Sequence, residues 1–254
     1  MNIKEIYTSH KERILTSIVL VGVALIVALV DKTLLTWVMM GAIYLVSFYE
    51  AMSLFGLSDK RYMVYAVALW LAVLIYPNPD DLFYLIIIVA VSVMVHKKDV
   101  NLRLLSPFVY PTLSMLFLFA LYKDFGMSTL IWLVVIVAST DTGAYVTGKS
   151  IGKTPFSKTS PNKTWEGVIG GILIATVLGS IIGLGSVDLS ISVIVSFFAA
   201  LSSVWGDLFE SYLKRVAGVK DSGTIFPGHG GMLDRLDGYL FASIVMVVLL
   251  RGLL

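Results

Sequence analysis

The sequence contains no cysteine and little charge. Of its 254 residues only 14% are charged, whereas 57% are hydrophobic and the mean hydropathy is +0.89. The lack of cysteine excludes disulfides, thiolate metal sites and cysteine nucleophiles. The scarcity of charge excludes an ordinary water-soluble domain. The net charge of +2 is too small to indicate a nucleic-acid partner, so we expect none.

Long apolar runs recur along the chain instead. A helix needs about 20 apolar residues to cross the hydrocarbon layer of a bilayer, and fewer if its polar ends reach the interface. We therefore predict an all-α, polytopic integral membrane protein with about nine transmembrane helices. The predicted spans are residues 14–30, 34–50, 63–76, 82–95, 107–122, 128–147, 166–184, 189–212 and 238–254.

Lysine and arginine are concentrated in alternate loops. They precede the first span and follow the second, fourth, sixth and eighth spans, whereas the other loops are nearly neutral or acidic, as in PNPDD at 77–81. Because these residues favour the cytoplasm, we expect a cytoplasmic N-terminus and an external C-terminus. The loop between spans six and seven (the 6–7 loop) and the loop between spans eight and nine (the 8–9 loop) then both face the cytoplasm.

Polar residues are unevenly distributed between the two halves of the chain. Residues 1–125 form N-terminal membrane helices with few polar side chains, and residues 126–254 form C-terminal helices with both polar loops. We expect one integrated membrane domain with its chemistry in the C-terminal half.

The eighth predicted span carries four polar residues on one face. Asp207, Glu210, Ser211 and Lys214 are spaced at i, i+3, i+4 and i+7. An ionised carboxylate at membrane depth is costly unless it meets water, a cation or a metal. The face therefore indicates either a functional site or an ion pair of Lys214 with Asp207 or Glu210 that only holds helices together.

Further acids follow in the 8–9 loop, at Asp221, Asp234 and Asp237. Hard divalent cations such as Mg²⁺ prefer carboxylate oxygens, often one or two of them together with substrate phosphates. We predict Asp207 and Asp234 as the metal ligands. Asp234 alone has a second interpretation, as an N-cap of the following helix.

The same loop is rich in cations and glycine. Its basic side chains suit phosphate oxygens, and its glycines let backbone amides approach an anion closely. Metal-binding acids beside phosphate-binding bases are typical of phosphoryl or nucleotidyl transfer. His229 is equally compatible with a substrate contact and a structural hydrogen bond. The residues concerned are Lys214, Arg215, Lys220, Arg235, Gly228, Gly230 and Gly231.

The 6–7 loop ends in SPNKTWEGVIGG at 160–171, just before a predicted helix. Lys163 and Thr164 suit a phosphate near that helix N-terminus. Glu166 is either a first-turn acid or a ligand of metal or substrate. Upstream, GAYVTGKS at 143–150 matches the P-loop pattern, but it continues an apolar span rather than following a strand. We interpret that match as a coincidence.

The polar pattern at 211–237 resembles the signature of the phosphatidate cytidylyltransferase family, also called CDP-diacylglycerol synthases. SPNKTWEG at 160–167 and DTGAY at 141–145 are also similar to motifs of that family. The resemblance extends over about residues 130–240. The positions that carry the signature are Ser211, Lys214, Arg215, Lys220, Asp221, His229, Gly230, Gly231, Asp234, Arg235 and Asp237.

The resemblance implies that CTP and phosphatidate react to give CDP-diacylglycerol and pyrophosphate, with magnesium (Mg²⁺) required and K⁺ as a candidate second cation. It implies Asp207 and Asp234 as metal ligands and a site in a bacterial inner membrane that faces the cytoplasm. The expected partners are CTP, phosphatidate and the lipid bilayer, and a homodimer is compatible with the sequence. The other expected site residues are Lys163, Lys214, Arg215, Lys220, Asp221, His229, Arg235 and Asp237 for catalysis, and Ser160, Thr164, Gly230 and Gly231 for substrate binding.

Two other functions remain open at this point. A CTP-dependent lipid kinase would use similar residues but transfer the γ-phosphoryl group. An ion or solute transporter would use Asp141, Asp207 and Glu210 as a path through the membrane. Transporters of that kind often contain paired broken helices in corresponding halves, and the sequence shows no such internal symmetry.

Overall fold

The computed structural model describes residues 21–98, 100–226 and 230–254. Within them the chain is helical, with two isolated β-bridges and no β-strand. This confirms the predicted all-α fold. The α-helices are α1 (Val21–Val30), α2 (Thr33–Leu54), α3 (Arg61–Ile75), α4 (Asp81–His96), α5 (Ser114–Phe125), α6 (Met127–Ile151), α7 (Trp165–Gly183), α8 (Leu189–Val216) and α9 (Leu233–Leu253).

Each predicted span contains a helix in the described part of the chain. Six helical segments are long and apolar enough to cross a membrane, namely α2, Leu102–Phe125, α6, α7, α8 and α9. The apolar helices α1, α3 and α4 are shorter. Residues 14–20 of the first predicted span lie outside the described residues. These findings agree with a polytopic membrane protein.

Two helix ends differ from the prediction in ways that affect the site. Helix α8 continues to Val216 rather than ending at residue 212, so Lys214 and Arg215 lie on a helix. Helix α9 begins at Leu233 rather than at residue 238, so Asp234 lies in its first turn. Hydropathy locates the apolar centre of a helix and not its polar ends, which explains both differences.

The fifth span is irregular where it contains Pro111. A 3₁₀ turn at Leu102–Leu105 and a π-helical turn at Phe108–Leu113 precede α5, and Tyr110 has non-helical dihedrals of φ −133° and ψ 115°. Proline lacks the N–H that a regular helix requires in its interior, which accounts for the break. Phe108–Leu113 packs against both α2 and α5.

Glycines allow close contact between the helices that carry polar residues. A Cβ on Gly171 of α7 would lie 2.5 Å from the carbonyl oxygen of Thr140 on α6. A Cβ on Gly238 of α9 would lie 2.7 Å from Ser203 Oγ on α8. Real Cβ atoms do not approach other atoms so closely. The backbones of these helix pairs therefore lie nearer together than larger residues would permit.

The two ends of the bundle carry different polar contacts. Tyr122 Oη donates to Asp31 Oδ1 at 2.9 Å, and the Arg251 guanidinium contacts Asp80 at 2.6 Å and Asp124 at 2.7 Å. These residues lie at the end of the bundle away from the 6–7 and 8–9 loops, which we call the opposite end. The two polar loops share the other end, which we call the site end.

Candidate active site

The polar face of α8 that the sequence predicts contacts residues from both polar regions of the chain. Near its middle, Asp207 forms an ion pair with Lys163 of the 6–7 loop, and Ser211 Oγ lies 3.4 Å from Asp207 Oδ1. Two turns later, Lys214 Nζ lies 2.6 Å from Asp234 Oδ1 of α9. Two lysine–carboxylate pairs therefore lie along one helix face. The first joins α8 to the 6–7 loop, and the second joins α8 to the first turn of α9.

Hydrogen bonds within the 6–7 loop hold Lys163 in place. The backbone N–H of Phe156 donates to the Lys163 carbonyl at 2.8 Å, and the N–H of Lys163 donates to the Ser160 carbonyl at 3.1 Å. Thr164 caps α7, because its Oγ1 accepts the N–H of Gly167 at 3.2 Å. The loop therefore projects Lys163 toward α8 from a closed turn.

Glu166 binds the beginning of the 6–7 loop at Lys153 and Thr154. Its carboxylate accepts the backbone N–H groups of Lys153 and Thr154 at 3.2 Å and the Thr154 hydroxyl at 2.8 Å. A first-turn acid is also favoured by the positive end of the helix dipole. These contacts support the interpretation of Glu166 as a structural acid of the loop.

A cavity of about 530 Å³ opens beside the Lys163–Asp207 pair, between α6, α7, α8 and the 6–7 loop. Four predicted site residues line it, namely Ser160, Lys163, Thr164 and Asp207.

The DTGAY segment contributes further lining residues, Asp141 and Tyr145, from α6. Asn162 and Lys149 add a neutral amide and a further cation, and Asn162 was not singled out by its spacing. This volume is within the range of small-molecule sites.

Helix α6 runs unbroken through the GAYVTGKS segment, because residues 127–151 are all helical. A P-loop needs a glycine-rich turn between a strand and a helix, and this segment provides a helix throughout. The structure confirms that the match is a coincidence. Lys149 nevertheless lines the cavity.

The second pair is the more deeply buried. The side chains of Lys214, Glu210 and Asp234 are 11%, 0% and 7% exposed. Lys214 Nζ contacts Glu210 Oε2 and Asp234 Oδ1, both at 2.6 Å. The sequence left open an ion pair of Lys214 with Glu210 that holds helices together, and the structure contains that pair. Lys214 also has a second partner, Asp234 on α9.

Asp234 is held by donors from the 8–9 loop. Its Oδ2 accepts the backbone N–H of Gly231 at 2.7 Å, the N–H of Ser222 at 2.8 Å and the Ser222 hydroxyl at 2.9 Å. Met232, rather than Asp234, occupies the N-cap position of α9. Asp234 thus orders the loop ahead of the helix instead of capping the helix itself.

Glu50 of α2 also contacts this loop region. The sequence patterns did not predict Glu50 as a residue of the site. It is 5% exposed, and its carboxylate accepts the N–H groups of Met232 and Leu233, each at 2.9 Å. The contact with Leu233 joins residues 183 positions apart. In the sequence, Glu50 is only an acidic residue at the end of an apolar span. That position does not indicate a partner so distant along the chain.

The remaining predicted residues lie around this centre. Arg215 is exposed and donates to the Val219 carbonyl at 3.2 Å, and Lys220, Asp221 and Arg235 are exposed. The Asp237 carboxylate accepts the N–H of Gly238 at 2.8 Å. Gly230 has a φ of 79°, a conformation that favours glycine. His229 lies outside the described residues.

The oxygen-rich donor set is compatible with Mg²⁺. Among the described residues no group of three or more His, Cys, Asp or Glu side chains is placed to hold a metal. Mg²⁺ commonly binds one or two carboxylates and completes its coordination with substrate phosphates and water. Asp207 and Asp234 fit that pattern, because each is partly or largely buried and already holds a cation in the form of a lysine.

Comparison with known proteins identifies the family. The model of the Cytidylyltransferase family matches residues 11–253. Phosphatidate cytidylyltransferases from Helicobacter pylori strains J99 and 26695 are each 43% identical over 251 residues, which cover 97% of this chain and 94% of each relative. A phosphatidate cytidylyltransferase of Bacillus subtilis is 44% identical over 131 residues, covering 50% of this chain and 49% of that protein. The chain therefore belongs to the Cytidylyltransferase family and is a nucleotidyltransferase.

Proposed function

We propose that the protein is a Mg²⁺-dependent phosphatidate cytidylyltransferase of phospholipid biosynthesis. It would transfer CMP from CTP to phosphatidate and release pyrophosphate, at the cytoplasmic face of a bacterial inner membrane. The relatives that share nearly the whole chain carry this name. The observation that carries the proposal is the pair of lysine–carboxylate contacts along one face of α8, Lys163–Asp207 and Lys214–Asp234, of which the first lines a cavity.

The reaction requires little covalent chemistry from the protein. An ionised phosphate oxygen of phosphatidate attacks the α-phosphorus of CTP, a new P–O bond forms, and the bond to the β-phosphate oxygen breaks with its electron pair leaving on pyrophosphate. The attacking group is already anionic, so no strong general base is needed. The protein mainly has to bring two anions together and align them.

The lysines suit this task. Lys163 and Lys214 each form an ion pair with a carboxylate. On CTP binding we expect both ammonium groups to turn toward phosphate oxygens, while Asp207 and Asp234 would hold Mg²⁺. Bound Mg²⁺ supplies positive charge that stabilises the phosphates and the leaving pyrophosphate. Arg215, Lys220 and Arg235, which are exposed at the same end, suit the approach of anionic substrates from water.

The membrane location explains how the two substrates meet. The cavity lies at the site end, beside helices α6, α7 and α8, each long enough to cross a membrane. The lysine-rich loops at this end favour a cytoplasmic orientation. CTP would then enter from the cytoplasm, and phosphatidate would enter from the adjacent lipid.

The test is turnover by the purified protein with phosphatidate, Mg²⁺ and CTP labelled at either the α or the γ position. Label from the α position should enter the lipid, whereas entry of the γ label would show a lipid kinase. Asp207→Asn and Asp234→Asn should each lower kcat/KM by about 100-fold or more, which corresponds to about 3 kcal/mol of lost transition-state stabilisation. Asp188→Asn, at the opposite end, is the matched control and should leave turnover unchanged. Intact Mg²⁺-dependent turnover in both site variants would disprove the metal assignment.

A further inference from the structure

Glu50 caps helix α9 from a different part of the chain. Its Oε1 accepts the Met232 N–H at 2.9 Å, and its Oε2 accepts the Leu233 N–H at 2.9 Å. The first N–H groups of a helix have no partner within the helix, and the helix dipole favours an anion there. A buried carboxylate of α2 therefore supplies the acceptors that α9 lacks.

Two glycines leave room for this carboxylate. A Cβ on Gly231 would lie 2.5 Å from Glu50 Oε2 and 2.6 Å from Oε1, and a Cβ on Gly223 would lie 2.8 Å from Glu50 Cδ. Separations below 3.0 Å are essentially never seen for real Cβ atoms. The 8–9 loop is thus shaped around Glu50 from two sides.

The groups that contact Glu50 also hold Asp234. Ser222 Oγ lies 3.1 Å from Glu50 Oε2 and 2.9 Å from Asp234 Oδ2. Gly231, whose Cα faces the Glu50 carboxylate, donates its N–H to Asp234 Oδ2 at 2.7 Å. The position of Asp234 therefore depends on a loop whose other side rests on Glu50.

We propose that Glu50 is a positioning residue for the transfer reaction. It fixes Ser222, Gly223 and residues 231–233 of the 8–9 loop and thereby positions the carboxylate of Asp234, which would hold Mg²⁺. An N-terminal helix thus becomes part of the active site. This inference rests on the proposed function. Residues that orient metal ligands from behind typically change metal affinity or activity by about 10–100-fold when they are replaced.

The first test is Glu50→Gln. The amide nitrogen of glutamine must face one of the N–H groups at Met232 or Leu233, so a donor meets a donor. We expect kcat to fall about 10–100-fold and the Mg²⁺ concentration for half-maximal turnover to rise about 10-fold, while KM for phosphatidate is unchanged. A readout without turnover is trypsin cleavage after Lys220, which should be several-fold faster than in the wild type in the absence of substrates.

The second test keeps the carboxylate and displaces it. Gly223→Ala places a methyl group against Glu50 Cδ, and we expect the same direction of change in Mg²⁺ dependence and in cleavage after Lys220. This variant also decides the matter if Glu50→Gln does not fold. The matched control is Asp80→Asn, because Asp80 is equally buried at 5% exposure and is an ion-pair partner at the opposite end. It should lower thermal stability and leave both readouts at the wild-type level.

The outcomes separate this inference from the proposed function. A wild-type protein that turns over CTP, together with Glu50→Gln and Gly223→Ala variants that keep wild-type Mg²⁺ dependence and trypsin sensitivity, would overturn the positioning role alone. A wild-type protein with no transfer activity would overturn the proposed function. The positioning role toward the transfer reaction would then fall with it, and faster cleavage in both variants would establish Glu50 only as the anchor of the loop.

Discussion

Replacing Lys214 with methionine would separate a binding role from a purely structural one. Lys214 lies 2.6 Å from the carboxylates of both Glu210 and Asp234, and all three side chains are at most 11% exposed. Removal of one partner of a buried ion pair costs about 3–5 kcal/mol, because the remaining charge is left uncompensated. We expect Lys214→Met to lose about that much free energy of unfolding and at least about 100-fold in kcat/KM, as expected when about 3 kcal/mol of charge stabilisation is lost.

The double variant Lys214→Met, Glu210→Gln makes the distinction. It removes the fully buried carboxylate together with its cation, so we expect recovery of about 0.5–3 kcal/mol of the lost stability, which is the range for side chains in direct contact. Turnover should stay low, because the ammonium group that binds phosphate is still missing.

The measurements are SDS titration of the protein in mild detergent for the free energy of unfolding, and CTP turnover with phosphatidate in mixed micelles for activity. Arg215→Met is the control for stability, because Arg215 is exposed, and its change in unfolding free energy should stay within about 0.5 kcal/mol. If the double variant recovered wild-type turnover together with stability, Lys214 would be an ion pair that holds helices together and nothing more.

Two further predictions concern helix α7, which borders the cavity through Gly167 and Val168. Gly171→Val should destabilise the protein by about 1–3 kcal/mol in the same SDS titration, because its side chain would press on the Thr140 carbonyl, which is backbone and cannot turn aside. Glu166→Gln should raise KM for CTP several-fold with kcat unchanged, since it loosens the turn that carries Lys163. A large loss of kcat in Glu166→Gln would instead indicate direct contact with metal or reacting phosphates.

Much of the fold was determined by hydropathy alone. A bilayer demands long apolar segments and tolerates polar side chains only where they have partners, so the positions of the spans and of the two polar loops can be read from the sequence. The spacing of Asp207, Glu210 and Lys214 likewise requires one shared face on any α-helix. These features depend on local periodicity and on the surrounding solvent, and the structure agrees with them.

Tertiary structure alone decided which charges meet. Asp207 pairs with Lys163 from a separate loop, and Lys214 pairs with Asp234 across the close contact of α8 and α9 that Gly238 permits. Glu50 reaches Leu233 across 183 positions of the chain. Such pairings depend on how each helix is rotated and how near its neighbours lie, and packing sets both. The sequence by itself thus determined which residues had to find partners at this end of the membrane, and the packing of distant helices decided what those partners are.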